Sequence, residues 1–187
     1  MRVIAIVNQK GGCGKTTTTV NLGGALAADG SRVLIVDLDP QAHATLALGI
    51  DPDELDQNLY DILAEPAGIR QLEEVIVNTS ERLDLAPSSI VLSALEQKLA
   101  SEKHDSRTER LAAAIESLPP RFDYVLIDCP PNVGLLTFNA LRAARELLIR
   151  YCASDVLMLR SEEHTSELQS RRNLVCRRRL EKKNTKC

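Results

Sequence analysis

The amino-acid sequence predicts an α/β protein in which helices cover both faces of an open, mostly parallel sheet. Short apolar runs rich in β-branched residues alternate with helical patterns, and the first run ends in a glycine-rich loop. Continuous apolar runs are typical of strands that are buried on both faces, as in parallel sheets. The chain has 187 residues, 44% of them hydrophobic and 26% charged, and this composition excludes a fully disordered or fibrous protein.

The first forty residues predict one β-α-β unit. A strand at residues 3–7 is followed by the glycine loop and by a helix from Lys15 to Asp29, with Gly30 as its C-cap. A second strand at residues 32–36 completes the unit, and its connection to the first strand is expected to be right-handed.

The later elements alternate in the same way, whereas most of residues 43–80 give no clear pattern. Between Asp51-Pro52 and Pro66, which indicate turns, we predict a short helix with Asn58 as its N-cap. The predicted elements are a helix at 59–64, a strand at 83–86, a helix from Ser88 or Ser89 to about Glu102, a helix at 107–118, a strand at 124–127, a helix at 137–144 and a strand at 146–149.

Composition also limits the location and the chemistry of the protein. No apolar run approaches the ~20 residues of a membrane-spanning helix, so we expect a cytoplasmic protein that does not bind membranes. The five cysteines form no C-x-x-C pair, which argues against a zinc or redox site. No histidine is placed to activate Cys129 as a nucleophile, so we predict a small buried residue there.

The strongest chemical signal is the run KGGCGKTT at residues 10–17, which lies between a strand and a helix. Glycines let backbone N–H groups surround phosphate oxygens, and the helix N-terminus adds positive potential. Lys15 is placed to reach the β- and γ-phosphates, and the Thr16 hydroxyl to bind Mg²⁺. The predicted nucleotide-binding residues are Lys10, Gly11, Gly12, Cys13, Gly14, Lys15, Thr16 and Thr17.

Two other predicted strands end in carboxylates at the same edge of the sheet. Asp37 and Asp39 follow the second strand within the sequence DLDPQ, where ligands bind in open α/β sheets. Asp128 follows the strand at 124–127 and is predicted to hold Mg²⁺ through water. Gly134 is predicted to let the backbone approach the γ-phosphate.

The phosphate loop departs from the ordinary pattern G-x-x-x-x-G-K-[ST]. Gln9 stands where that pattern has its first glycine, and a second lysine, Lys10, opens the loop. In this form the sequence resembles the signature-lysine P-loop ATPases, the family that includes ParA, MinD and the nitrogenase iron protein. Residues 37–41 and 128–134 resemble the switch I and switch II segments of ParA proteins, although Ala42-His43 stands where the family usually has Gly-Asn.

The resemblance implies a P-loop NTPase fold of the signature-lysine type and an ATPase that uses ATP and Mg²⁺. It implies a homodimer held together by ATP, in which Lys10 reaches the nucleotide of the partner subunit and Asp39 orients the attacking water. It further implies non-specific DNA binding, nucleoid association and a ParB-like centromere-binding partner that triggers hydrolysis. The implied catalytic residues are Lys10, Lys15 and Asp39, and the implied magnesium-site residues are Thr16, Asp37 and Asp128.

Three alternative functions fit the sequence less well. A MinD-like ATPase, or another that positions cargo at a membrane or on a protein, is disfavoured by the D-P-Q sequence of switch I. An electron-transfer ATPase like the nitrogenase iron protein needs paired cysteines, and the contexts of Cys129 and Cys152 do not match. A purely structural nucleotide-binding module would retain Lys15 and lose Asp39.

The last part of the chain is predicted to differ from the rest. The ParA resemblance is close up to Leu148, and residues 160–183 resemble the in-frame translation of a short-read sequencing adapter. Residues 160–187 carry nine Lys and Arg against four Asp and Glu, and they lack the apolar stripe of a membrane-binding helix. We therefore expect an ATPase domain at 1–150 whose C-terminal part is missing, and a non-native or disordered tail at 151–187.

Overall fold

The computed structural model describes residues 1–66, 68–101, 105–149 and 177–179. The strands are β1 (Arg2–Val7), β2 (Val33–Asp37), β3 (Val77–Ser80), β4 (Leu83–Ala86), β5 (Tyr124–Asp128), β6 (Glu146–Ile149) and β7 (Arg177–Arg179). The helices are α1 (Lys15–Ala28), α2 (His43–Ala47), α3 (Leu59–Leu63), α4 (Leu92–Ser101), α5 (Arg110–Glu116) and α6 (Leu135–Ala143), with short 3₁₀ turns at Pro52–Glu54, Leu72–Val75 and Asp105–Thr108.

The strands form one sheet in the order β3-β4-β2-β5-β1-β6-β7. The five inner strands run parallel, and β3 and β7 pair antiparallel at the two edges. Every residue of β2 is buried, because helices cover it on both faces. The predicted open, mostly parallel α/β sheet is confirmed.

Two apolar clusters lie on opposite faces of this sheet. Alternate residues of a strand point to opposite faces, so Val3 and Ala5 join one cluster while Ile6 joins the other. The larger cluster packs the sheet against α3, α4, α5 and α6, and the smaller one packs it against α1 and α2. Helices therefore cover both faces, as the sequence predicts.

Several element boundaries differ from the prediction. The region without a clear pattern contains α2 and the antiparallel strand β3, neither of which the sequence predicts. Helix α4 begins at Leu92 and has neither serine as its cap: the Ser88 hydroxyl donates to the carbonyl of Asp39, and the Ser89 hydroxyl has no hydrogen-bond partner among the described residues. Asn58 caps α3 as predicted, and its side chain accepts a hydrogen bond from Tyr60 N at 2.9 Å.

The predicted tail at 151–187 lies outside the described residues except for β7. That strand pairs antiparallel with β6, with Arg178 opposite Leu147. The division of the chain near residue 150, and the non-native or disordered character of the tail, stay predictions. Among the residues that the structure describes, no helix combines the length and the apolar character needed to cross a membrane.

Candidate nucleotide and magnesium site

The three motifs meet at the carboxyl edge of the parallel sheet. Asp128 at the end of β5 lies opposite Ile6 of β1 on one side and Asp37 of β2 on the other. The phosphate loop follows β1, so it begins beside Asp128. The strand order thus brings together the loop, switch I (residues 37–41) and switch II (residues 128–134), as expected for an open α/β sheet.

The phosphate loop leaves backbone N–H groups available at the start of α1. Gly12 and Gly14 have φ values of 71° and 73°, a left-handed conformation that glycine adopts without strain. Gly14 is the N-cap of α1 and supplies no side-chain hydrogen bond, so the N–H groups of the first turn have no capping side chain. Lys15 is 7% exposed, whereas Lys10 is exposed at the opening of the loop.

Asp128 is held by two hydroxyl groups of α1. Thr16 Oγ1 donates to Asp128 Oδ2 at 2.7 Å, and Thr19 Oγ1 donates to Asp128 Oδ1 at 3.0 Å. Burial raises the pKa of Asp128, while the bonds from Thr16 and Thr19 and the charge of Lys15 lower it. Thr19 was not predicted as a site residue; its position three residues after Thr16, on the same helical face, is the signal that indicates it.

These oxygens suit magnesium. Mg²⁺ prefers hard oxygen ligands and keeps several waters and substrate phosphates, so it does not need a cage of protein carboxylates. The Thr16 hydroxyl and the Asp128 carboxylate supply the oxygens, 2.7 Å apart. Within the described ranges, no group of three His, Cys, Asp or Glu side chains forms a metal site by itself.

Asp37 binds α2 through its side chain. Its Oδ2 accepts bonds from Thr45 N and Thr45 Oγ1, both at 2.8 Å, and its Oδ1 accepts a bond from Asp39 N at 3.2 Å. Burial raises the pKa of Asp37 to about 7, despite the bonds from Thr45, which lower it. The sequence did not single out Thr45, and the assignment of Asp37 to the magnesium shell stays a prediction.

Asp39 lies just beyond the end of β2, in a tight turn. Its Oδ1 accepts a hydrogen bond from Gln41 N at 3.0 Å. Its carbonyl accepts bonds from Ala42 N at 2.9 Å and from Ser88 Oγ at 2.7 Å. Ala42 closes the turn with a φ of 52°, which is left-handed and unusual for a residue with a side chain.

Gly134 in switch II faces a side chain from α4. A β-carbon at this position would collide with Glu96 Oε1. The Glu96 carboxylate accepts bonds of 3.4 Å from Leu136 N, in the first turn of α6, and from Asn132 Nδ2. The approach of Gly134 to phosphate stays a prediction, whereas the space that Gly134 leaves for the Glu96 carboxylate is a feature of the fold.

The remaining candidate side chains have ordinary environments where they are described. Cys129 is 1% exposed, and burial raises the pKa of its thiol, so it is the small buried residue that the sequence predicts. His43 is exposed at the start of α2. His104, His164 and Cys152 lie outside the described residues.

Comparison with curated sequences identifies relatives over most of the chain. The sporulation initiation inhibitor protein Soj of Bacillus subtilis is 47% identical over 148 residues, which cover 79% of this chain and 57% of that protein. The chromosome partitioning protein ParA of Myxococcus xanthus is 43% identical over 149 residues, covering 79% of this chain and 51% of that protein. The chain thus spans about half the length of the curated relatives it matches.

Solved structures share the fold of this chain. A crystal structure of cobyrinic acid a,c-diamide synthase from Mycobacterium smegmatis, with bound ADP and magnesium, matches with a TM-score of 0.76 and 38% identity, covering 86% of this chain and 66% of that one. A family model described as an AAA domain matches residues 1–160. The protein therefore belongs to the AAA domain family, and its relatives include ParA-type chromosome partitioning proteins.

Proposed function

We propose that the chain is the nucleotide-binding part of a ParA-type ATPase that binds ATP with Mg²⁺ and hydrolyses it during DNA partitioning. The observation that carries this proposal is the bond of 2.7 Å between the Thr16 hydroxyl and Asp128, directly beside Lys15 and the uncapped start of α1. The similarity to a structure with bound ADP and magnesium supports the same site.

Each residue has a role that follows from its position. Lys15 and the N–H groups of the first turn of α1 neutralise phosphate charge. Thr16 and Asp128 would hold the magnesium ion, with Asp37 in its outer shell, and the bound ion neutralises charge on the phosphate oxygens. Asp39 orients the attacking water. A residue that orients water acts mainly on the transition state and contributes little to nucleotide affinity.

A homodimer that forms on ATP binding completes the proposal. Lys10 is exposed at the opening of the loop, and in the proposed dimer it reaches the nucleotide of a partner subunit. The dimer binds DNA non-specifically on the nucleoid in the cytoplasm, and a ParB-like centromere-binding protein stimulates hydrolysis. The names of the relatives support this part, since they include a chromosome partitioning protein.

Two variants test the proposed reaction in the full chain. We expect Lys15→Ala to abolish binding of a fluorescent ATP analogue, because the loop loses the side chain that reaches the β- and γ-phosphates. We expect Asp39→Ala to bind the analogue normally and to hydrolyse ATP at least tenfold more slowly in single-turnover measurements, about 1.4 kcal/mol or more in the barrier. Unchanged binding by the first variant, or unchanged hydrolysis by the second, would contradict the proposal.

Mixing two defective subunits tests the dimer. The Lys10→Ala subunit keeps Lys15, and the Lys15→Ala subunit keeps Lys10. In a mixed dimer, one nucleotide site therefore has Lys15 from its own subunit and Lys10 from the other. We expect partial recovery of hydrolysis in the mixture and none in either variant alone. Dimers that form without recovering activity would exclude a role of Lys10 across the interface.

Co-sedimentation separates the two candidate targets of the ATP-bound protein. We expect ATP-dependent binding to DNA. Binding to anionic lipid vesicles in place of DNA would favour the alternative, a MinD-like ATPase that acts at a membrane.

A further inference from the structure

A closed ring of hydrogen bonds links switch I to α2 and to the loop between β4 and α4. Asp37 accepts from both the backbone N–H and the hydroxyl of Thr45, at 2.8 Å each. Thr45 Oγ1 accepts from Ser88 N at 3.0 Å, and Ser88 Oγ donates to the carbonyl of Asp39 at 2.7 Å. The N–H of Asp39 closes the ring by donating to Asp37 Oδ1 at 3.2 Å.

We infer that Thr45 and Ser88 are positioning residues for hydrolysis, because this ring holds the backbone of Asp39 at both its N–H and its carbonyl group. The inference rests on the proposed role of Asp39 and adds two residues that lie outside the phosphate loop and outside the Thr16–Asp128 pair. This inference does not depend on the assignment of Asp37 to the magnesium shell, because every hydrogen bond in the ring joins two protein groups.

Burial makes the ring rigid. Asp37, Thr45 and Ser88 are 0% exposed and Asp39 is 7% exposed, so water cannot replace a bond that is lost. Leaving a buried polar group without its partner costs ~1–3 kcal/mol, which strongly disfavours any other arrangement of these side chains. Each member of the ring therefore limits the positions that the others can take.

The ring holds the backbone of Asp39, and the position of the backbone determines where the Asp39 carboxylate lies. The carboxylate itself has a local partner, the N–H of Gln41 at 3.0 Å, which moves with the same turn. The bonds to Asp37 and Ser88 connect that turn to the last residue of β2 and to the loop that follows β4. A displacement of a catalytic group by about 1 Å can cost ~10²-fold in rate, so loss of either connection should slow hydrolysis.

Ser88→Ala and Thr45→Val test the inference, and the chain offers a matched control for each. Ser89 is also buried, and its hydroxyl has no hydrogen-bond partner among the described residues, so Ser89→Ala removes the same atom without breaking a bond. Thr45→Ser keeps the hydroxyl that Thr45→Val removes. All variants are made in the full chain and examined for folding by circular dichroism.

We expect Ser88→Ala and Thr45→Val to lower kcat for ATP hydrolysis about tenfold, while KM and the Kd of a non-hydrolysable analogue stay within about twofold. Ser89→Ala should leave kcat unchanged, and Thr45→Ser should recover most of the rate lost in Thr45→Val. A loss that appears in Kd as strongly as in kcat, or that Ser89→Ala reproduces, would overturn the positioning role.

Combination with Asp39→Ala decides whether the two residues act through Asp39. If they do, adding Ser88→Ala or Thr45→Val to Asp39→Ala lowers kcat no further, because the group they position is already absent. If kcat of the double variant falls by the product of the two single-variant factors, the inference is overturned.

Hydrogen exchange supplies a readout that does not depend on hydrolysis. We expect Ser88→Ala to increase amide exchange at Asp39, Gln41 and Ala42 at least fivefold and Ser89→Ala to leave it unchanged. Unchanged exchange in Ser88→Ala would overturn the inference even if the rate falls. A different result is that the wild-type chain neither binds nor hydrolyses ATP, while Ser88→Ala still exchanges faster than the wild type. That result would overturn the proposed function, but it would still show that the ring restrains Asp39.

Discussion

Ala42 adopts a backbone conformation that glycine reaches more easily. Its φ and ψ of 52° and 32° are left-handed, and its N–H closes the switch I turn on the carbonyl of Asp39 at 2.9 Å. An alanine in this conformation is strained by roughly 1–2 kcal/mol. The strain is a property of one residue, and it lies beside the proposed catalytic carboxylate.

We therefore expect Ala42→Gly to leave the free energy of unfolding unchanged or to raise it by up to about 1 kcal/mol, because relief of strain offsets the greater freedom of the unfolded chain. Ala44→Gly is the control, since Ala44 is buried within α2, and it should lower stability by about 1 kcal/mol. Urea denaturation measures both changes. Equal losses in the two variants would show that Ala42 is not strained.

Asp37 should make stability depend on pH. Burial raises its pKa from 3.8 to about 7, with the charge of Asp128 acting in the same direction. The folded chain therefore keeps a proton that the unfolded chain releases above about pH 4. The stability that this proton contributes is fully present below that pH and is lost as the pH rises through about 7.

Without nucleotide, the free energy of unfolding of the wild type should fall as the pH rises from 5 to 7. We expect this fall to be steeper than in Asp37→Asn by on the order of 1 kcal/mol per pH unit. The comparison uses slopes, so a constant effect of the substitution cancels. Denaturant midpoints at several pH values give both slopes. Parallel curves would show that Asp37 keeps an ordinary pKa.

Helices α4 and α6 contact each other through Glu96 and switch II. The Glu96 carboxylate accepts bonds from Leu136 N and Asn132 Nδ2, and it occupies the space beside Gly134. A carboxylate near the first turn of a helix also interacts favourably with the helix dipole. At the scale of elements, this contact connects the middle of α4 to the segment that follows Asp128.

We expect Gly134→Ala to lower stability by about 1 kcal/mol, because the new methyl group displaces Glu96 and both of its bonds are lost. In Glu96→Ala the same bonds are already absent, so the double variant should lose less than the sum of the two single changes. Gly24→Ala is the control: a β-carbon there meets no atom within 4 Å, and alanine within α1 should stabilise the protein. Additive losses at positions 96 and 134 would exclude the contact.

The described core of the molecule lies within residues 3–148. Both apolar clusters are built there, and β7 pairs antiparallel with β6 at the edge of the sheet. We expect removal of residues 160–187 to change Tm by less than about 2 °C, under 1 kcal/mol for a chain of this size, and to leave nucleotide affinity unchanged. Scanning calorimetry and titration with an ATP analogue measure the two quantities. A loss of several degrees would show that the tail is a folded element.

For the molecule as a whole, the parallel strands of the sheet and the edge where the three motifs meet could be predicted from the sequence alone. Each motif directly follows an apolar run: the loop follows β1, Asp37 ends β2 and Asp128 ends β5. Because parallel strands bring their carboxyl ends to one edge, knowledge of the strands was enough to bring the motifs together. The spacing within KGGCGKTT indicated the phosphate chemistry in the same local way.

Only the tertiary structure decided which residues support that site. Ser88 and Thr45 are 43 positions apart, and Glu96 and Leu136 are 40 positions apart, so no local pattern joins either pair. Antiparallel β3 and helix α2 also escaped prediction, because the β3 sequence VNTS is mostly polar and α2 has Ala42, which offers no capping side chain, as its N-cap. Their positions follow from packing against the finished sheet. Hydrogen bonds between distant residues form only once strand order has placed them side by side, and this is why the ring around Asp39 is visible in the fold and absent from the sequence.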